Sequence, residues 1–215
     1  TYAMLGHVIY TVPDEAVRSK IMTVNVLPRG TGIKLDSDFL NPDGTINYCK
    51  MITYLTTNQQ RNQLIEDDLL NNRTHYNLIL SERVEHLRFL YSRLPPDLQA
   101  QAAVIDGTMT TKSKKAAREQ AIEDMRTGKK RYLFASYSLA KEGLDIPRLD
   151  RLYLTTPQKD YAVIVQSVGR VARTFEGKEQ PVTYDYVDYI RSLEKAFKKR
   201  CTSYRKCNCR ILKEE

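Results

Sequence analysis

The sequence predicts an α/β fold, a three-layer sandwich with a mostly parallel central sheet flanked by helices, and three observations carry that prediction. From Tyr76 onward, short apolar runs alternate strictly with stretches of helical periodicity, the pattern of parallel strands joined by crossover helices. Runs such as Asn77-Leu78-Ile79-Leu80-Ser81 are apolar without alternation, as expected of strands buried on both faces. The polar residues of most chemical interest follow directly on those runs, where open parallel sheets bind their ligands.

Taken in order, residues 1–20 read as a strand-like entry, Gly6-His7-Val8-Ile9-Tyr10-Thr11-Val12, and a polar connector. Residues 21–27 alternate as a strand, which Pro28-Arg29-Gly30-Thr31-Gly32 is expected to break. Asn41-Pro42-Asp43-Gly44 is a turn, and Thr45 can cap a helix with Met51, Ile52 and Leu55 inward. A second helical piece carries Leu64, Ile65, Leu69 and Leu70. These residues, 21–75, read as a lead-in to the domain proper, 76–188.

Within that domain, a helix with Val84, Leu87, Leu90 and Leu94 at helical spacing stops at Pro95-Pro96. Ala103-Val104-Ile105-Asp106 is a strand closed by Gly107, and Ser113 caps a helix ending at Gly128. Residues 131–136, 152–155 and 182–187 supply further strands, with a helix around Gln166 before the last. From Asp188 to about Cys201 the pattern predicts a helix with Ile190, Leu193 and Phe197 inward and a very basic outer side, so residues 189–215 form a C-terminal helix and tail.

The formal net charge of +8 points to a polyanionic partner, most directly nucleic acid. No apolar run of about 18 residues and no signal-peptide pattern occur, which predicts a soluble, cytoplasmic chain with no membrane partner. The opening Thr1 suggests a piece of a longer protein. Four cysteines are too unevenly placed for a disulfide framework. Cys201, Cys207 and Cys209 read either as ordinary thiols or as part of a metal site, although their spacing matches no paired pattern.

Two stretches carry chemistry. In Gln166-Ser167-Val168-Gly169-Arg170-Val171-Ala172-Arg173, helical geometry puts Gln166, Arg170 and Arg173 in one arc and the apolar residues opposite. The stretch is either an amphipathic surface helix or a pair of aimed guanidiniums. Gly169, costly inside a helix, invites a reason such as close backbone approach. In the second, residues 135–147, Ser136 opens a strand-to-helix junction suited to a phosphate, and Gly143 permits a turn that brings Asp145 to the sheet edge. By itself this is also an ordinary helix cap and turn.

Together, a strand ending Ala135-Ser136, then Gly143-Leu144-Asp145-Ile146-Pro147, a strand ending Thr155-Thr156-Pro157 and QxxGRxxR resemble motifs V and VI of superfamily 2 helicases. Residues 77–82 are similar to motif IV, and Ile105-Asp106-Gly107 to the element after it. The resemblance covers about residues 76–188 and implies the second, C-terminal RecA-like domain of a DEAD/DEAH-type enzyme. The stretch Leu5-Gly6-His7-Val8-Ile9-Tyr10 resembles the join from a first such domain in repair and restriction-type helicases.

The resemblance implies ATP and Mg2+ in a cleft between two RecA-like domains, both held mainly by a preceding N-terminal domain of the same chain. Arg170 and Arg173 then act as arginine fingers, Arg173 foremost, since a planar permanent cation suits a phosphoryl group in transfer. Gln166, Gly143, Asp145 and Gly169 approach the nucleotide. Ser81, Gly107, Thr108 and Ser136 hold a nucleic-acid backbone without reading bases.

Glutamine in place of the histidine usual in DEAD-box RNA helicases favours DNA over RNA. A Gly-x-x-x-x-Gly-Lys-Ser/Thr loop is missing from the sequence, so the chain alone is expected to be inactive. The alternative is a non-catalytic module binding nucleic acid or a partner. His7, His75 and His86 read as surface or packing residues, and the basic starts and tails (Lys112, Lys114, Lys115 and Arg118; Lys195, Lys198, Lys199, Arg200, Arg205 and Lys206) as nucleic-acid contacts or solvated faces.

Overall fold

The computed structural model describes residues 21–34, 39–41, 43, 45–107, 111–141 and 144–213. Seven strands form one parallel sheet in the order β3-β4-β2-β5-β6-β1-β7. The strands are β1 (Asn25–Lys34), β2 (Asn77–Ser81), β3 (Ala102–Ile105), β4 (Tyr132–Ser136), β5 (Arg151–Leu154), β6 (Val182–Tyr189) and β7 (Arg210–Ile211). The helices are α1 (Tyr48–Thr57), α2 (Gln59–Asn71), α3 (Val84–Arg93), α4 (Pro96–Ala100), α5 (Lys112–Thr127), α6 (Tyr137–Lys141), α7 (Tyr161–Val171) and α8 (Arg191–Lys206).

Successive side chains of a strand point to opposite faces, and the two faces carry separate cores. Leu78, Leu80, Leu133, Ala135, Leu152 and Leu154 pack beneath α5, α6 and α7, with Tyr204 of α8. Ile79, Phe134, Tyr132, Tyr153 and Tyr186 pack on the other side beneath α2, α3 and α4. A third cluster joins α1 to Ile33, Phe39 and Leu193 at one end of the sheet. The result is the predicted three-layer sandwich, with every strand pair parallel.

Four expectations are corrected. The first strand does not break at Pro28 but runs on to Lys34, with Pro28 opposite Asp185 of β6. Even-numbered residues of β1 face β7: Arg210 and Leu212 donate to the carbonyls of Val24 and Val26. Since β7 pairs only with Asn25 and Val26, Pro28 turns its missing N–H toward an edge that needs none. The irregularity falls later, between Gly30 and Lys34, where Gly32 takes a left-handed φ of 72°. The C-terminal helix, expected to span from Asp188 to about Cys201, starts at Arg191 and reaches Lys206, because β6 continues to Tyr189 and Tyr204 is core. Residues before 76 and after 188 thus both supply strands to the sheet. The helix caps are also displaced: Asn47 rather than Thr45 accepts from Lys50 N at 3.0 Å, and Thr111 rather than Ser113 precedes α5.

Buried ion pairs tie the sheet to its helices. Arg61 on α2 is fully buried; its Nε donates to Asp188 at 3.0 Å and its Nη1 to the Thr155 carbonyl at 2.7 Å. Arg200 on α8 grips Asp185 with Nε and Nη2, both at 2.8 Å, and the Tyr204 hydroxyl donates to the same carboxylate at 2.7 Å.

Candidate functional site

Helix α7 forms because Asp160 caps it, accepting from Ala162 N at 2.9 Å, and because Val163, Ile164, Ser167, Val168 and Val171 recur at helical spacing toward the core. Gln166 and Gly169 are left exposed and Arg170 partly so. The helix ends at Val171, so Arg173 lies beyond the cap rather than on the helix face with Gln166 and Arg170. Its backbone pairs with Ile21, and Lys178 fixes this corner by donating to the carbonyls of Val171 and Arg173, each at 2.7 Å, and of Pro147 at 3.0 Å. Burial pulls the Lys178 ammonium down to about 8, although Asp150 acts in the opposite direction.

Arg170 donates from Nε to the Ala140 carbonyl at the end of α6, 3.0 Å away, and burial lowers its pKa from the usual arginine value. Arg173 pairs with the Asp145 carboxylate. Asp145 is also held by Arg126 near the C-terminus of α5, whose Nε donates to the Asp145 carbonyl at 2.6 Å while Nη2 lies 4.0 Å from its carboxylate. The folded chain thus brings Asp145, Arg173 and Arg126 together, with Arg170, Gln166 and Gly169 on the adjoining helix. Gly143 lies outside the described residues.

A Cβ built on Gly169 meets nothing within 4 Å. Within the described residues no close approach accounts for this glycine, so Gly169→Ala is expected to stabilise the isolated chain by up to about 1 kcal/mol, as alanine does in a helix interior. Chemical denaturation checks the sign; a loss of stability would show that the glycine serves the fold itself.

At the carboxyl edge of the sheet, Ser81 and Ser136 stand side by side in register on β2 and β4. The Ser136 hydroxyl lies 2.9 Å from that of Ser138, and a Cβ on Gly107 would come within 4.0 Å of the Ser138 hydroxyl. Gly107, Ser136 and Ser138 therefore share one small surface. Thr108 lies outside the described residues. Ser81 is fully buried, and its hydroxyl accepts from Arg83 N at 3.1 Å and donates to His86 Nδ1 at 3.2 Å. His86 Nε2 in turn donates to Asn62 Oδ1 at 2.9 Å, which fixes the neutral tautomer.

Burial, reinforced by the Arg61 charge, lowers His86 to about 3. In the unfolded chain the imidazole takes up its proton near pH 6.5, so between about 6.5 and 3 the unfolded state binds more protons. Stability from this group is complete above pH 6.5 and falls as the pH drops through that window. His86 ring resonances are expected to stay at their neutral positions down to about pH 4; a midpoint near 6 would overturn the buried, neutral assignment. His75 likewise packs, with Nδ1 2.9 Å from Asp150 and Nε2 accepting from Arg151 at 2.9 Å.

Sequence reasoning missed Arg126, Lys178 and Ser138. Arg126 sits on an element far along the chain from Asp145, and nothing in the local pattern signals which carbonyls Lys178 reaches. Ser138, two residues after Ser136 at a strand-to-helix junction, was legible in principle.

With this geometry established, the sequence matches the family described as helicase conserved C-terminal domain over residues 45–175. The chain belongs to that family. This helicase C-terminal domain is 34% identical over 148 residues to an Acanthamoeba polyphaga mimivirus protein that bears the name of an ATP-dependent RNA helicase, covering 66% of this chain and 26% of that protein. It is 31% identical over 91 residues to a protein of Sulfolobus islandicus filamentous virus named as a helicase, covering 42% and 16%. The chain thus spans about a quarter or less of the length of these relatives.

Among solved structures, T4 UvsW shares the fold with a TM-score of 0.61 at 16% identity, covering 89% of this chain and 41% of that one. The C-terminal domain of the DEAD-box protein Dbp5 does so with a TM-score of 0.56 at 15% identity, covering 89% and 88%. These likenesses show a RecA-like α/β fold.

Proposed function

We propose that this domain is the C-terminal half of an ATP-dependent nucleic-acid helicase or translocase and that it completes an ATP site shared with an N-terminal RecA-like domain of the same protein. The observation that carries the reading is the convergence of Arg173, Asp145 and Arg126 beside Arg170. Paired guanidiniums at a helix end, one of them held by a single exposed carboxylate, are a donor set that fits a polyphosphate. Arg173 is the finger and Arg170 the supporting contact, while Gln166, Gly143, Asp145 and Gly169 lie toward the nucleotide. ATP and Mg2+ would be held mainly by the N-terminal domain, the metal supplying charge neutralisation at the phosphates.

Ser136 and Gly107, at the carboxyl edge of the sheet, grip the sugar-phosphate backbone, a role Thr108 shares; Ser81 acts from beneath as a buried support, because its hydroxyl is already engaged by His86. Such contacts carry no base information, in keeping with movement along any sequence. DNA is favoured over RNA on Gln166 alone, while the mimivirus relative's name speaks for RNA. The test is ATP turnover of the full-length protein and of this chain, each with single-stranded DNA, duplex DNA and RNA. Stimulated turnover in the full-length protein alone supports a shared site and identifies the polymer. Unstimulated or missing turnover with every polymer would sink the motor reading.

A further inference from the structure

Most of the chain's excess positive charge lies in one place. Residues 191–215 carry nine lysines and arginines against three acids, Glu194, Glu214 and Glu215, a net of +6 out of the formal +8 of the whole chain. Arg200 is internal, locked to Asp185, and the other eight are exposed.

On α8, helical geometry gathers Arg191, Lys195, Lys198, Lys199, Arg205 and Lys206 into an arc of about 120°, opposite the buried Leu193, Arg200, Ser203 and Tyr204. At 1.5 Å per residue the stripe is about 22 Å long. Among the described residues, no carboxylate pairs with any of these six, and Lys206 instead lies 5.6 Å from the ring centre of Tyr161, which is half exposed at the start of α7.

Like-charge pairs at helical spacing outnumber opposite ones along the stripe, where Glu194 is the one acid. Arg191 with Lys195, and Lys195 with Lys199, are like charges at i,i+4, and only Arg205 and Lys206 are near enough the C-terminus to gain from the helix dipole. A membrane surface does not fit as the occupant, because a surface-lying helix must sink an apolar face, and that face of α8 is spent on the core. A line of lysines and arginines spaced along a rigid rod complements a line of phosphates.

We infer that the outer face of α8 is a second phosphate-backbone contact surface for nucleic acid, separate from the loops at the carboxyl edge of the sheet. The inference rests on the reading of this domain as acting on nucleic acid. The surface adds affinity and no sequence preference, and its contribution fades with salt.

The test replaces Lys195, Lys198 and Lys199 together by glutamate, positions exposed enough to leave the core intact; an unchanged thermal unfolding midpoint verifies this. Binding of the 215-residue chain to labelled duplex DNA, single-stranded DNA and RNA of mixed sequence is measured between 50 and 200 mM salt. Affinity is expected to fall at least tenfold, with the slope of log affinity against log salt reduced by roughly two to three for duplex DNA, close to 0.9 per lost contact. Unchanged affinity and slope with all three polymers would overturn the inference, as would displacement by polyglutamate as effective as by unlabelled DNA, which would mark the stripe as a site for acidic protein. The two readings fail separately: normal polymer-stimulated turnover in the full-length triple variant alongside unchanged binding removes only the α8 surface, whereas lost binding with no stimulation in the unmutated protein removes only the motor.

Discussion

Arg173→Ala in the full-length protein is expected to reduce nucleic-acid-stimulated ATP turnover by about a thousandfold or more, the scale on which arginine fingers act, while nucleic-acid affinity stays within about twofold. The size follows from what a guanidinium can do that nothing else on this surface can. It is planar and always charged, and it places donors at fixed angles to a phosphoryl group whose charge is redistributing. Among the described residues the side chain is tied only to Asp145, and both groups are substantially exposed, 38% and 58%. An exposed pair of this kind is worth at most about 1 kcal/mol, so the variant should fold normally and the loss should fall on kcat rather than on yield. Arg173→Lys should rescue little, since an ammonium cannot reproduce the two-pronged contact. Arg170→Ala makes the contrast: Arg170 is partly buried and anchored to Ala140, so its removal should disturb stability more and turnover less. Unchanged turnover in Arg173→Ala would dismiss the finger assignment outright.

The parts of this molecule that were legible in the sequence are those where side-chain pattern and environment are locally coupled. A strand buried on both faces needs an unbroken apolar run, and Asn77-Leu78-Ile79-Leu80-Ser81 can hardly be anything else; the same holds for the apolar side of α7. What stayed hidden depended on partners far away in the chain. Pro28 reads as a strand breaker until β7 is known to stop short of it. The two-residue β7 has no pattern to read, and its place is set by backbone bonds to Val24 and Val26. At the site, Arg170 and Arg173 were visible as residues but not as geometry: that Arg173 lies beyond the helix and meets Asp145 follows from the cap at Ala172 and from Lys178 folding back over it. Ser81 shows the converse. Its position at a strand end suggested an open hydroxyl, whereas His86, five residues on, turns that hydroxyl inward.

The largest effect on stability is expected at Asp185. In Asp185→Ala, the Arg200 guanidinium would keep, among the described residues, the Gln158 carbonyl, 3.0 Å from Nη1, and the Phe197 ring but no carboxylate, in a site where the residue is 3% exposed, and the fully buried Tyr204 hydroxyl would lose its acceptor. Burial on its own would push the arginine toward its neutral form; the Asp185 carboxylate outweighs that and holds its pKa above the ordinary arginine value. Without the carboxylate the charge is left uncompensated, which typically costs about 3–5 kcal/mol. For a domain of this size that is a fall in Tm of roughly 6–20 °C. Arg200→Met should cost a similar amount, because it strands Asp185 instead. The double variant Asp185→Leu with Arg200→Met should be milder than either single change, since removing both charges also removes their desolvation penalty. A double-mutant cycle by urea unfolding reads this directly as a coupling energy. If the two single variants were each within about 0.5 kcal/mol of the parent, α8 would not be fastened to β6 by this pair, and the Arg200–Asp185 contact would be incidental to a helix held by Leu193 and Tyr204 alone.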